Sequence, residues 1–176
     1  GYDIRAQRFD VNSDPAGTEF LVNATQVSGN QYDPAVIGLK EGGFVVTWRD
    51  DDGSSHDSGS NIDVWARIFN TDGTEAVEEF RVNETQISSN QYEPALASLS
   101  NGNFIVTWRD SGGSSHDDGT GTGSGNDVWA RIFAPDGTEV AGEFRINSYI
   151  SSSQYEREAV GLKDRGFVVT WRDESG

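Results

Sequence analysis

The residues best suited to chemistry are bunched in two copies of one stretch. Gly42 to Asp57 reads GGFVVTWRDDDGSSHD and Gly102 to Asp117 reads GNFIVTWRDSGGSSHD, and a third copy, RGFVVTWRD, begins at Arg165. Each complete copy is an apolar run, then Trp-Arg-Asp, then a Gly/Ser/Asp loop with one histidine. Carboxylates at this density are hard oxygen donors of the kind Ca²⁺ takes. The candidate ligands are Asp50, Asp52, Asp57 and Asp63 in the first copy, and Asp110, Asp117, Asp118 and Asp127 in the second. The second copy has Ser111 and Gly112 where the first has Asp51 and Asp52, so the set is not repeated intact. A cation would pin a long loop and lower its entropy cost. Without one, Asp and Ser side chains would close the loop through Asx-type bonds.

His56 and His116 are the only histidines and share one repeat position. A Zn²⁺ site usually needs more than one His or Cys nearby. Ser-Ser-His-Asp also invites a hydrolase reading, but a nucleophile and base so close in sequence seldom make a triad, and no third orienting residue is identifiable. A ligand contact or a loop-fixing hydrogen bond suits these histidines better. Arg49, Arg109 and Arg172 each follow a Trp and precede an Asp. Such an arginine binds a carboxylate bidentately, either an Asp of the neighbouring sheet or an acidic ligand. Trp65 and Trp129 correspond to Arg5 in the first unit. A position that accepts Arg is not deep core, and an exposed Trp can stack on a sugar ring. The candidate ligand-binding set is therefore Trp65, Trp129, Arg49, Arg109, His56 and His116. The pairs Gln31-Tyr32, Gln91-Tyr92 and Gln154-Tyr155 recur in every copy and read as structural, with the Tyr hydroxyl tied to a loop.

The elements that position these residues repeat about every sixty positions. Trp48, Trp108 and Trp171 are separated by 60 and 63 residues, and the Gln-Tyr pairs keep the same spacing. Four strands fit each unit. Strand a is Tyr32 to Leu39, followed by a Gly/Asn-rich hairpin turn. Strand b is Phe44 to Arg49. Strand c is Asp63 to Phe69, repeated at Asp127 to Phe133 and in variant form at Asp3 to Phe9. Strand d is assigned to Glu19 to Asn23, Glu79 to Asn83 and Glu143 to Asn147. No segment shows helical periodicity with caps, so the chain is all-β. Phe-Val-Val-Thr-Trp barely alternates, which marks strand b as covered on both faces. Sheets stacked face to face do this, as the blades of a propeller do.

The whole chain, 1–176, thus reads as one repeat domain. Residues 1–30 hold strands c and d, 31–90 and 91–153 are full units, and 154–176 hold the strands a and b that would complete the first. Three arrangements accommodate three such antiparallel sheets: two chains in a six-bladed ring, an arc of a longer chain, or a three-sheet prism. A dimeric ring or an arc suits a doubly covered strand b better than a prism does.

Lys and Arg number 13 against 29 Asp and Glu, a net charge of −16. That repels phosphates and anionic lipid, so nucleic acid is not an expected partner. No apolar run reaches membrane-spanning length, so membrane insertion is not expected either. Cys is absent, which excludes disulfides and thiolate chemistry. Five Trp, five Tyr and nine Phe in periodic runs argue against a disordered acidic chain.

Ala-Gln-Arg-Phe-Asp (6–10), Gly-Thr-Glu-Phe-Leu-Val-Asn (17–23), Gln-x-x-Pro (31–34) and Gly-Gly-Phe-Val-Val-Thr-Trp (42–48) together resemble the repeat of very large secreted bacterial proteins, the RTX-type, haemolysin-like calcium-binding proteins and adhesins. The calcium-roll signature Gly-Gly-x-Gly-x-Asp is absent. The resemblance implies an extracellular bacterial setting, calcium in the wider protein and an adhesive role. The expectation from sequence is then a secreted, non-enzymatic, lectin-like module binding a glycan or cell-surface ligand, with Ca²⁺ as its cofactor and self-association into a ring or polymer. Alternatives are a structural protomer or spacer of an extracellular filament, and a hydrolase.

Overall fold

The computed structural model describes residues 1–25, 29–51, 62–85, 89–112, 125–149 and 152–174. The described residues form twelve strands and no helix. They are β1 (Arg5–Ala6), β2 (Phe20–Leu21), β3 (Gln31–Gly38), β4 (Phe44–Asp50), β5 (Asp63–Phe69), β6 (Glu75–Arg81), β7 (Gln91–Ser98), β8 (Phe104–Asp110), β9 (Asp127–Phe133), β10 (Glu139–Arg145), β11 (Gln154–Gly161) and β12 (Phe167–Asp173). Two complete antiparallel sheets run β3-β4-β5-β6 and β7-β8-β9-β10, and two half-sheets run β1-β2 and β11-β12. The all-β class and the four-stranded antiparallel unit expected from sequence are present. Closure of the first and last halves into one sheet is not: they remain separate.

The first strand of each unit forms the inner edge of its sheet, and β3 packs against β7 and β7 against β11. Pro34 and Pro94 sit in these inner strands, where an edge tolerates the missing N–H. Gly161 fits only because it has no side chain: a Cβ there would lie 2.0 Å from the Ser98 carbonyl oxygen of the adjacent inner strand.

β4 and β8 are the centre of the core. Val45, Trp48, Phe104, Ile105, Val106 and Trp108 are fully buried. Each such Trp or Phe removes on the order of 150–250 Å² from water, the largest single hydrophobic terms available to the chain. Three aromatics cluster at the turn end of each complete sheet, as with Phe44 and Phe69, stacked with ring centroids 5.0 Å apart, and Phe20 of the preceding sheet, tilted and 5.4 Å from Phe69.

Neighbouring sheets are also latched by a repeated polar device. Arg67 donates to the Val22 carbonyl at 2.6 Å, and Glu79 accepts from the amides of Ala24 and Thr25. One sheet on, Arg131 donates to the Val82 carbonyl at 2.8 Å, and Glu143 accepts from the amides of Glu84 and Thr85.

Three sequence expectations need correction. Strand d runs Glu75–Arg81 and Glu139–Arg145, starting about four residues earlier than expected. It is the outermost strand and largely polar, so its apolar end, Phe80-Arg81-Val82, drew the assignment too far along the chain. The variant strand c, expected over Asp3 to Phe9, pairs with β2 only at Arg5–Ala6. Lastly, β12 is open to water, with Val168 43 % and Trp171 37 % exposed, although its counterparts in β4 and β8 are covered on both faces. Among the described residues no third strand lies beside it, whereas β5 and β9 flank the other two.

Candidate active site

The inner strands carry a feature that alternation alone does not predict. The ladder between β3 and β4 slips between Tyr32 and Ala35, and that between β7 and β8 slips between Tyr92 and Ala95. At each slip an acidic residue is left-handed: Asp33 with φ 54° and Glu93 with φ 51°. Asp tolerates this region fairly well, but Glu visits it rarely. A bulge re-aims side chains that a regular strand would alternate, and strained backbone clusters at sites that do something.

The bulges line a cleft of about 590 Å³ between the inner strands, walled by Asp33 and Pro34 from β3, Glu93 and Pro94 from β7, and Glu158 from β11. Three successive sheets thus each contribute one carboxylate. Asp33 and Glu93 are repeat equivalents, whereas Glu158 stands where the other units have Ala35 and Ala95. Each equivalent acid is ion-paired within its own sheet. Arg49 Nε lies 3.2 Å from Asp33, and Arg109 Nη2 lies 3.2 Å from Glu93. The same guanidiniums bridge to the next sheet. Arg49 is 4.7 Å from the Tyr32 ring centroid and 5.3 Å from that of Tyr92. Arg109 is 4.4 Å from Tyr92 and 5.4 Å from Tyr155, and Arg172 is 5.4 Å from Tyr155. Tyrosine and arginine therefore alternate from sheet to sheet beside the cleft, fixing its wall by cation–π contact.

At the C-terminal ends of β4 and β8, one residue beyond Arg49 and Arg109, lies a second acidic arrangement. Asp50 pairs directly with Asp63, and Asp110 with Asp127, across the strand ladder. Asn83 donates to Asp63 at 2.6 Å and to Gln91 at 3.1 Å, while Asn147 donates to Asp127 at 2.6 Å and to Gln154 at 3.0 Å. These amides satisfy buried groups between one sheet and the next. Burial pushes the Asp63 carboxyl up to about 6, with the Asn83 hydrogen bond opposing the rise and the charge of Asp50 adding to it. Asp127 is raised by burial in the same way, opposed by Asn147 and assisted by Asp110.

Of the calcium set expected from sequence, Asp50, Asp63, Asp110 and Asp127 come together as these two pairs. Asp52, Asp57, Asp117 and Asp118 lie outside the described residues, as do His56 and His116. Among the described residues no group of three or more His, Asp or Glu side chains is placed to hold a metal ion. Trp65 and Trp129 are half-buried on the third strand out from the cleft. They lie opposite Trp48 and Trp108 and pack on the apolar clusters, away from the bulged acids. Arg49 and Arg109 lie beside the cleft, and their partners are acids of their own sheets and tyrosines of their own and the next sheet, rather than aspartates across the sheet gap.

Asp33, Glu93 and Glu158 were missed by the sequence reading. An acid after Gln-Tyr in every unit, followed twice by Pro, is the signal that finds the first two. The loss of Ala at position 158 finds the third.

No family model matches the chain, and no curated protein matches it. Solved structures do. An alpha-L-arabinanase of Penicillium chrysogenum complexed with arabinobiose is similar over 87 % of this chain and 45 % of its own, with 14 % identity and a TM-score of 0.53. A point mutant of an alpha-L-arabinofuranosidase from Fusarium graminearum, in complex with an iminosugar inhibitor, is similar over the same shares, with 17 % identity and a TM-score of 0.54. The chain spans slightly under half the length of these proteins. At these identities the likeness establishes a shared β-propeller-like fold. It also overturns the expectation of a non-enzymatic adhesin or lectin: both structures sharing the arc belong to enzymes. The sequence reading set the hydrolase aside because Ser-Ser-His-Asp offers no third orienting residue, whereas the cleft described here is assembled from single residues on successive inner strands.

Proposed function

We propose that this chain supplies the carboxylate-bearing arc of a propeller glycoside hydrolase, cleaving a glycan bound in the cleft between β3, β7 and β11. The observation that carries this reading is the convergence of Asp33, Glu93 and Glu158 from three sheets on one cleft. Glycosidic hydrolysis needs two carboxyl groups flanking the scissile bond. One protonates the leaving oxygen, and the other activates water or attacks the anomeric carbon.

The roles divide by environment. Asp33 and Glu93 are braced by Arg49 and Arg109, so their oxygens are fixed in direction. A braced carboxylate suits a base or nucleophile, which must meet one face of the sugar ring within hydrogen-bond reach. Glu158 is exposed on the same wall and breaks the repeat, and it takes the role of proton donor. The proton it gives to the leaving oxygen is recovered from the water that completes hydrolysis.

The solved structures sharing the fold are held with arabinobiose and with an iminosugar, which directs the substrate class to arabinose-containing and related furanoside glycans. Incubation with a panel of such oligosaccharides, followed by product analysis, tests the assignment. Release of shorter sugars supports it. A panel left intact, with binding absent as well, contradicts it.

A further inference from the structure

We infer that Tyr92 is the positioning residue that holds Asp33 and Glu93 in fixed relation to each other, which in its kinetic consequence rests on the hydrolase reading of the cleft. The two acids come from different sheets, and each is held by its own arginine, Arg49 or Arg109. A brace within one sheet fixes an acid relative to that sheet alone. The acids keep a set placement across the cleft only if something joins the two braces. The Tyr92 ring does so, with Arg49 at 5.3 Å and Arg109 at 4.4 Å from its centroid. Tyr32 meets Arg49, and Tyr155 meets Arg109 and Arg172. Of the three rings, Tyr92 is the one that lies against both arginines that hold cleft acids.

The ring is itself well fixed. It stands opposite Arg109 in the β7–β8 ladder, immediately before the left-handed Glu93, where the register slips. Its hydroxyl accepts from Asn90 Nδ2 at 3.0 Å, and Asn90 Oδ1 accepts from the Ile62 amide at 3.0 Å, just before β5 of the preceding sheet. Tyr92 is thus tied to both sheets through its hydroxyl as well as its faces. The Arg49 and Arg109 side chains are only 19 % and 15 % exposed. A cation over a ring gains most where water is shut out.

A base or nucleophile must meet the sugar within hydrogen-bond reach. A misplacement of about 1 Å costs about 10²-fold in rate. Loss of the shared ring is therefore a kinetic lesion, felt in kcat more than in KM.

Tyr92→Leu and Tyr92→Phe test this, with Tyr32→Leu and Tyr155→Leu as comparators. Two readouts are taken: hydrolysis of an arabinose-containing oligosaccharide, and hydrogen exchange at the Nε–H groups of Arg49 and Arg109 by ¹⁵N NMR. In Tyr92→Leu, kcat should fall about 10–10²-fold with KM within about threefold of the parent. Tyr92→Phe, which keeps the ring, should recover to within about threefold. Exchange should quicken at both arginines in Tyr92→Leu, at Arg49 alone in Tyr32→Leu, and at Arg109 alone in Tyr155→Leu. If Tyr92→Leu does not fold, Asp33→Asn makes the reading with the ring intact: releasing Arg49 from its acid should move the Arg109 signal as well. Exchange that quickens at one arginine or neither in Tyr92→Leu, an unmoved Arg109 signal in Asp33→Asn, or a phenylalanine variant as slow as the leucine one overturns the inference. A parent chain that releases no sugar overturns the hydrolase reading instead, and the arginine signals then decide whether Tyr92 joins the two acids.

Discussion

Asp50 and Asp63 stand directly opposite each other on adjacent strands, with Asp50 only 4 % exposed. A like-charged pair so placed has a pH signature. The folded Asp63 titrates near 6, mainly because burial disfavours its charge, whereas an aspartate in an unfolded chain titrates near 3.9. Between about pH 4 and 6 the folded state keeps a proton that the unfolded state has lost. Stability therefore falls as pH rises through that window. A shift of this size costs about 2 to 3 kcal/mol at neutral pH.

Asp63→Asn should remove that cost. Its amide oxygen can still accept from Asn83, and the lost partner, Arg81, is at 3.9 Å. The variant is expected to melt several degrees above the parent at pH 7 and to show a flatter Tm profile between pH 4 and 6. A profile as steep as the parent's would assign the effect to other carboxylates.

Gly38 and Gly161 occupy the same position in their units but face different surroundings. A Cβ at Gly161 meets the Ser98 carbonyl oxygen at 2.0 Å, whereas nothing lies within 4 Å at Gly38. Gly161→Ala should cost about 1–3 kcal/mol, because the clash is with backbone on the adjacent inner strand. Gly38→Ala should change stability by less than about 0.5 kcal/mol. Urea midpoints of the two variants decide it, and equal effects would mean that β7 and β11 do not approach as described.

Arg109 joins two sheets through Glu93, Tyr92 and Tyr155. Arg109→Lys keeps the charge but loses the planar group that stacks between rings. The expected loss is about 1–2 kcal/mol in chemical denaturation, with more of it recovered in neither high nor low salt than an exposed ion pair would allow. A lysine variant as stable as the parent would show that the ring contacts contribute nothing.

Much of this was legible in the chain itself, for identifiable reasons. Trp48 and Trp108 recur in an unalternating apolar run, and such a run has to be covered on both faces, so the stacked sheets follow. Arg49 and Arg109 were legible as carboxylate binders because each follows a Trp at a strand end. Their partners were not, because Asp33 and Glu93 point to the cleft only through a bulge, and period-two alternation carries no record of a slipped register. The exposure of Trp171 was equally hidden. Its local sequence is that of Trp48, and the difference is that β5 flanks β4 while no described strand flanks β12. Trp65 and Trp129 drew attention because Arg5 replaces them. In the structure that replacement coincides with the unit whose strand stands without an inner neighbour.

The central claim rests on what the three cleft carboxylates do. The direct measurement is the rate of reducing-sugar release from an arabinose-containing oligosaccharide by the chain and by Asp33→Asn, Glu93→Gln and Glu158→Gln. The account predicts losses of about 10²–10⁴-fold from the base and from the proton donor, with folded variants that still bind the sugar. Undiminished release from all three, or no release by the parent chain, would contradict it.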